Sequence, residues 1–276
     1  MSMNRRRWAV RVVTALLAAA AVPVVAGGAA QAAVSGLHLF ETSVTVSANG
    51  QQTVAVNCPY SGWTAVSGGW HVSSGNYLNS LVIHQSWPWS GGWGFTIANK
   101  ASVQQQVTLR ITCVRDFVDT ISVVRSASVT IQPGASGAAT ATCPSGTKIL
   151  GGGYSLNSPN GVTLSSAPWT GPHRWVGIFR NNGTTTVAYT YAVCGKAVTH
   201  YLNSVTTTIN PGKEGVSNAG CFQEYVSGGG WSHSFTAYSP LRQAFSYTNK
   251  TWRNTVKAPP SSSIQITTYA ICIGLA

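Results

Sequence analysis

The chain has 276 residues, 44% of them hydrophobic and only 8% charged, with a formal net charge of +12. So much apolar content with so few charges argues against a disordered chain and for a compact, Gly/Ser/Thr-rich extracellular β protein. The basic excess suits attraction to anionic polymers such as teichoic acids, phospholipid headgroups or nucleic acid. No run of Lys and Arg follows residue 7, however, which argues against a specific nucleic-acid surface.

Residues 1–32 read as a signal peptide. Arg5, Arg6, Arg7 and Arg11 form a charged start, Val12 to Ala26 is an apolar run, and Ala30-Gln31-Ala32 is a small-x-small cleavage site. The mature chain is expected to begin near Ala33, which lowers the net charge to +8 through loss of those four arginines. Asn4 to Trp8 also fits a twin-arginine signal, so the export route stays open between the two. No other segment approaches the roughly 18 apolar residues of a spanning helix, and no transmembrane segment is expected in the mature chain. The expected location is secreted, either extracellular or cell-wall associated.

After the signal the chain repeats itself three times, over 33–126, 127–198 and 199–276. Each copy opens with VTVSANG, VTIQPG or TTINPG, ending eight or nine residues before a cysteine. The cysteines then begin CPYSGWTAVSGGW at Cys58, CPSGTKILGGGY at Cys143 and CFQEYVSGGGW at Cys221. An aromatic preceded by Gly-Gly follows 12, 11 and 10 residues on, at Trp70, Tyr154 and Trp231. Next come Trp93, Trp175 and Trp252, placed 20, 19 and 20 residues before a second cysteine at Cys113, Cys194 and Cys272. A fixed period of this kind marks an array of one supersecondary unit.

Paired cysteines in an exported chain read as disulfides. Six cysteines allow fifteen connectivities, and the repeat favours Cys58–Cys113, Cys143–Cys194 and Cys221–Cys272. Each closes a loop of just over fifty residues, worth on the order of 4 kcal/mol in the loop-entropy model. Units of this size have marginal cores and need such staples. No Cys-x-x-Cys spacing and no histidine at a fixed offset supports a metal site, and no cofactor is expected.

The fold class is all-β. In the second copy, strands are predicted at Ser128–Gln132, Ala138–Cys143, Lys148–Leu156, Gly161–Ser165, Trp175–Arg180 and Thr186–Cys194, with turns at Pro133-Gly134, Pro159-Asn160-Gly161 and Asn182-Gly183. One disulfide and a buried aromatic per copy suggest a small antiparallel β sandwich-like unit, three of them packed together. The alternative is a pseudo-threefold, β-prism-like single domain. The short spacers between copies favour close packing, and 114–127, the most charged and least repeated stretch, reads as the connection between the first two copies.

Recurrence separates scaffold from candidate site. The Gly-Gly-aromatic element lacks the Lys-Ser/Thr of a nucleotide-binding loop and reads as a bulge or a close backbone approach. Trp70, Tyr154 and Trp231, with Trp93, Trp175 and Trp252, read as packing beside the disulfides. In the first copy Trp89 aligns with Trp169 and Phe245, whereas Trp87 and Trp63 have no aromatic counterpart. Trp63, Trp87 and Trp89 are therefore the candidate ligand-binding residues, flat apolar platforms suited to stacking on sugar rings or entering a membrane interface. The mature chain has five carboxylates, Glu41, Asp116, Asp119, Glu214 and Glu224, none paired at a repeated site. Asp116 and Asp119 with His71 or His84 make no recognisable triad, there is no Gly-x-Ser-x-Gly elbow, and no catalytic residue is assigned. His38, His173, His200 and His233 also hold unrelated positions and read as surface or hydrogen-bonded loop residues.

At Cys143-Pro144-Ser145-Gly146, Gly151-Gly152-Gly153-Tyr154 and Tyr191-Ala192-Val193-Cys194 the chain resembles a family of exported actinobacterial proteins with CPxG…LGGG(Y/F)…YAVC modules. The third copy departs from that pattern at Phe222 and the first at Ser67 and Thr112. The resemblance implies secretion and a disulfide-stapled β module, and no particular reaction. The expected function is non-catalytic binding of a surface polymer, a polysaccharide or cell-wall polymer, through exposed aromatics. A structural or assembly component of the cell surface is the alternative, and a hydrolase with an unrecognised site comes third. Oligomeric state is left open.

Overall fold

The structure, a computed structural model, describes residues 36–72, 80–89, 91–115, 119–169, 171, 173–196, 199–234 and 241–274. The expected signal peptide and Asp116 lie outside them. The described residues form nineteen strands and no helix. The first copy supplies β1 (Leu37–Val46), β2 (Gln51–Asn57), β3 (Thr64–Val72), β4 (Leu81–Trp89), β5 (Gly92–Asn99) and β6 (Gln105–Val114). The second supplies β7 (Asp119–Arg125), β8 (Val129–Ile131), β9 (Ser136–Thr142), β10 (Lys148–Leu156), β11 (Gly161–Pro168), β12 (Arg174–Asn181) and β13 (Thr186–Lys196). The third supplies β14 (His200–Ile209), β15 (Glu214–Gly220), β16 (Tyr225–His233), β17 (Leu241–Thr248), β18 (Thr251–Lys257) and β19 (Ile264–Ile273). Period-two alternation explains them: in β6, Val107, Leu109 and Ile111 are buried while Thr108 and Arg110 are not.

The strands build three antiparallel sheets: I, in the order β1-β6-β3-β17-β18-β15; II, β2-β5-β4-β10-β13-β7, with β8 also on β13; and III, β14-β19-β16-β11-β12-β9. The first and third copies each lay three strands in one sheet and three in the next, and the second lays four in sheet II and three in sheet III, so every sheet is completed by a neighbouring copy. The sandwich-like pairing of half-sheets exists within a copy, and the closed pseudo-threefold arrangement exists between copies. All six strands expected in the second copy are present. The stretch 114–127 is not simply a connection: it contains β7, which pairs with β13 as β1 pairs with β6 and β14 with β19. Its unrepeated sequence concealed it, because this outer strand is interrupted in the second copy. At the break, Ser126 Oγ accepts from Thr190 N at 3.0 Å.

The seams between copies are narrow, two residue pairs each, and they align Trp70 with Ala244, Tyr154 with Ser86 and Trp231 with Ser166. Glycine sets the approach. A Cβ on Gly69, Gly153 or Gly230 would lie 2.0, 2.1 or 2.1 Å from the carbonyl oxygen of Ala244, Ser86 or Ser166 respectively. The preceding glycines, Gly68, Gly152 and Gly229, face inward, where the indoles of Trp93, Trp175 and Trp252 fill the space. Strands β3, β10 and β16 also each carry a bulge, at Val66, Leu150 and Ser227. Ser67 Oγ donates to Ser227 O at 2.8 Å and Ser227 Oγ to Leu150 O at 2.7 Å, tying the three bulges to one another.

On the pseudo-threefold axis Trp70, Tyr154 and Trp231 meet, with ring centroids 5.3 to 6.3 Å apart and interplanar angles of 71° to 88°. This edge-to-face geometry lets each ring's positive edge meet a neighbouring π face. The expectation that these three pack beside the disulfides is corrected: Trp70 lies five residues along β3 from Ala65, the partner of Cys113. Trp252, by contrast, does share a buried cluster with Cys221 and Cys272. The main core is continuous through all three copies.

The disulfides join Cys58 to Cys113, Cys143 to Cys194 and Cys221 to Cys272, with Cα separations of 5.9, 5.6 and 5.6 Å. Each second cysteine lies on a strand of one sheet and each first cysteine directly follows an edge strand of another. The three bonds therefore connect sheets I and II, II and III, and III and I.

One inner hydrogen bond breaks the symmetry. Trp93 Nε1 donates to Ser86 Oγ at 2.8 Å and Trp175 Nε1 to Ser166 Oγ at 3.0 Å. Trp252 Nε1 is buried without a partner because the equivalent position is Ala244. Ala244→Ser is expected to stabilise the fold by about 1 kcal/mol, and Ser86→Ala to cost about 1–3 kcal/mol. Denaturant unfolding measures both, and an Ala244→Ser variant no more stable than the parent would refute this account.

Candidate functional site

Strands β4, β11 and β17 run from the mouth of the axis, at Leu81, Gly161 and Leu241, to the end where the disulfides lie. Each closes on an aromatic: Trp89, Trp169 and Tyr247, which are 56%, 51% and 43% exposed. Counted along the strand, each lies three residues beyond the seam residue Ser86, Ser166 or Ala244, although Tyr247 is the residue inserted at the register shift of β17 and Thr248 takes the ladder position of Trp89. The alignment of Trp89 with Phe245 is thereby corrected. Phe245 is the counterpart of Trp87, and Ala167 holds that position in the second copy. A register shift between Ser246 and Thr248 adds a residue to β17, so counting back from Trp252 misplaces the match. The legible signal was the shared aromatic-x-aromatic spacing of Trp87-Pro88-Trp89 and Phe245-Ser246-Tyr247.

Trp87 is half-buried on the outer face of sheet II, where its ring lies 2.6 Å from the position of a Cβ on Gly94. Alternation along β4 places Trp89 on the same outer face. Trp63 is half-buried elsewhere, in a cluster with Tyr60 at 5.9 Å and His38 at 6.2 Å between ring centroids. Among the described residues, ring contacts tie Trp63 to this pair and not to Trp87 or Trp89. Aromatics at 89, 169 and 247 thus stand at the same distance from each seam, and of these the sequence singled out Trp89 as a candidate but neither Trp169 nor Tyr247.

The outer faces differ in charge. On sheet I, Arg110 pairs with Glu41 and donates through Nη1 to Ser246 O at 2.8 Å, with its guanidinium carbon 4.7 Å from the Phe245 ring centroid. Arg253 lies 3.3 Å over the Tyr247 ring. On sheet II the corresponding contact is Arg125 over Tyr189 at 4.9 Å. Cavities are small: ≈ 50 Å³ at the mouth of the axis and ≈ 20 Å³ beside Glu41, His71 and Arg110. Both fall far below the about 300–1,000 Å³ of small-molecule sites.

Of the acidic residues weighed with His71 and His84, Asp116 lies outside the described residues. Among the described residues, no three His, Cys, Asp or Glu side chains gather as a metal site. His71 and His84 stand on different sheets, and His84 Nδ1 is 2.8 Å from Leu156 O in the interior. Among the described residues no helix is long and apolar enough to cross a membrane. No protein-family model matches the chain, and no curated protein matches it.

His71, His84, His200 and His233 all titrate below an ordinary imidazole, in each case chiefly because burial disfavours the charged ring. For His84 and His200 the backbone oxygens of Leu156 and Ile149 oppose the shift, and for His71 the Glu41 carboxylate does so. Unfolding restores a value near 6.5. Below that pH the unfolded chain binds protons that the folded chain refuses, so stability falls with falling pH. The melting temperature is expected to be flat above about pH 7 and to decline from about pH 6.5 downward. Replacing His84 and His233 by Gln should flatten the decline; an unchanged slope would mean that these rings do not cause it.

Proposed function

We propose that the chain is a secreted, non-catalytic protein that binds a surface polymer, a glycan of the cell wall or its surroundings, through aromatic platforms on a rigid β scaffold. The observation that carries this reading is the threefold recurrence of an exposed aromatic at Trp89, Trp169 and Tyr247. The other two recurrent aromatic positions are buried and explained by packing. This one is not, and folding gives no reason to keep a large ring half in water three times over.

Stacking of one ring on one sugar is weak, but three platforms on a single rigid body act together on a repeating polymer. Trp87, beside Trp89, widens the platform on sheet II, and the Trp63 cluster with Tyr60 adds a second apolar surface to the first copy. The shallow cavities favour an extended ligand over an enclosed one. Three disulfides are compatible with an extracellular protein, because such bonds persist in oxidising compartments.

Sedimentation with insoluble peptidoglycan and a polysaccharide panel, read by protein depletion and tryptophan fluorescence, tests the proposal. Trp89→Ala and Trp169→Ala should each weaken binding about tenfold, and the double variant should lose more than either. Phe222→Ala removes a 91% exposed but unrepeated ring and should leave binding unchanged. Indifference to the whole panel, or equal binding by the double variant, would sink the reading.

A further inference from the structure

Equivalent positions on the three outer faces can be compared residue by residue, and one face stands apart. Beside the outer-face glycines Gly69, Gly153 and Gly230 stand Arg110, Tyr191 and Tyr269. After each buried tryptophan comes Gly94 in the first copy, Val176 in the second and Arg253 in the third. Sheet I receives Arg110 from the first copy and Arg253 from the third on either side of Phe245, while Arg125 stands on the outer face of sheet II and Arg174 and Arg180 on that of sheet III.

The two arginines are in different electrical states. Arg110 is neutralised by Glu41 and held by the carbonyls of Ser246 and Tyr247. Arg253 donates through Nε to Asn218 Oδ1 at 3.0 Å, and among the described residues no carboxylate pairs with it. Its plane is held 3.3 Å over the Tyr247 ring, one of the three exposed aromatics. A guanidinium fixed by a ring at one face and by an amide at Nε has its outer N–H groups pre-organised for a planar, two-oxygen acceptor. Its position at a sugar-binding platform restricts that acceptor to one attached to a sugar ring.

We infer that the outer face of sheet I is a charge-reading subsite that takes the carboxylate of a uronic-acid-bearing polysaccharide on Arg253, with the exposed Tyr247 beside the sugar and Phe245 buried beneath Arg110 and His71. This rests on the glycan-binding reading above and names the class of glycan. The other two sheets have Gly94 and Val176 at that position, and their arginines, Arg125 on sheet II and Arg174 and Arg180 on sheet III, stand elsewhere on the outer face. Charge complementarity selects the occupant: sheet I carries an uncompensated cation where Glu41 has already cancelled the other.

Affinity electrophoresis of the full disulfide-bonded protein on polygalacturonate and on its methyl ester, which has the same backbone without the charge, tests this. The acid form should bind about tenfold more tightly than the ester, the factor expected for one charge-assisted hydrogen-bonded pair. Arg253→Gln should abolish that preference, and Arg253→Lys, which keeps the charge but loses the fork, should restore only part of it. Equal binding of acid and ester, or a preference unchanged in Arg253→Gln, overturns the inference. So does equal retention by polyphosphate, which would assign the effect to simple cation exchange. If neutral glycans or peptidoglycan bind through Trp89 and Trp169 while polygalacturonate does not, this inference falls and the broader reading stands. If nothing in either panel binds, both fall.

Discussion

A carbonyl oxygen of one copy occupies the place where a side chain of the next would begin, and this happens at all three seams. Gly69, Gly153 and Gly230 leave about 2 Å between an imagined Cβ and that oxygen, a distance no real side chain tolerates. Only glycine lets β3 lie beside β17, β10 beside β4 and β16 beside β11 at this register. With the register set, Trp70, Tyr154 and Trp231 are carried onto the axis together and the bulges at Val66, Leu150 and Ser227 meet at its far side. The sharing of sheets between copies therefore depends on a hydrogen atom in place of a methyl group. The glycine before each of these does separate duty, admitting the indole of Trp93, Trp175 or Trp252 across the interior.

The disulfides complete what the seams begin. A seam continues a sheet from one copy into the next; a disulfide connects the two sheets to which one copy contributes. Seams and disulfides alternate around the axis, so each sheet is linked to both others, and no copy can leave the assembly without breaking seams on both sides. A unit of about seventy residues has little core of its own, and here the buried cluster runs unbroken through three such units. That closure accounts for the rigidity of the outer faces, on which the proposed platforms depend, since a platform ordered before binding costs less entropy on contact.

Much of this could be read from the residues. The repeat pointed to the disulfide pairs, the strands of the second copy and a close backbone approach at the paired glycines, because each is a local requirement repeated three times; the bulge it also suggested falls just before those glycines, at Val66, Leu150 and Ser227. What stayed hidden was non-local. Whether Gly153 approaches Ser86 of the first copy or a strand of its own copy depends on strand pairing, which no local pattern encodes. The strand β7 was missed for a related reason: Asp119–Arg125 shares no motif with β1 or β14 and is recognised only by its partner β13. The correspondence of Phe245 with Trp87 was obscured by one inserted residue in β17. In each case tertiary pairing decided what sequence spacing could not.

Recurrence turns out to have two meanings in a molecule of this symmetry. A residue that recurs and is buried, such as Trp93 with Trp175 and Trp252, serves the scaffold. A residue that recurs and stays exposed, such as Trp89 with Trp169, is the kind on which the proposed binding reading rests. Residues that do not recur then modulate that shared property face by face. Arg110 and Arg253 stand where the other copies have Tyr191 and Tyr269 or Gly94 and Val176, on a backbone built the same way beneath them. Three faces alike in backbone and unlike in side chains would, on the proposed reading, offer a polymer chemically distinct contacts, and the backbone symmetry leaves those differences free to vary without cost to the fold.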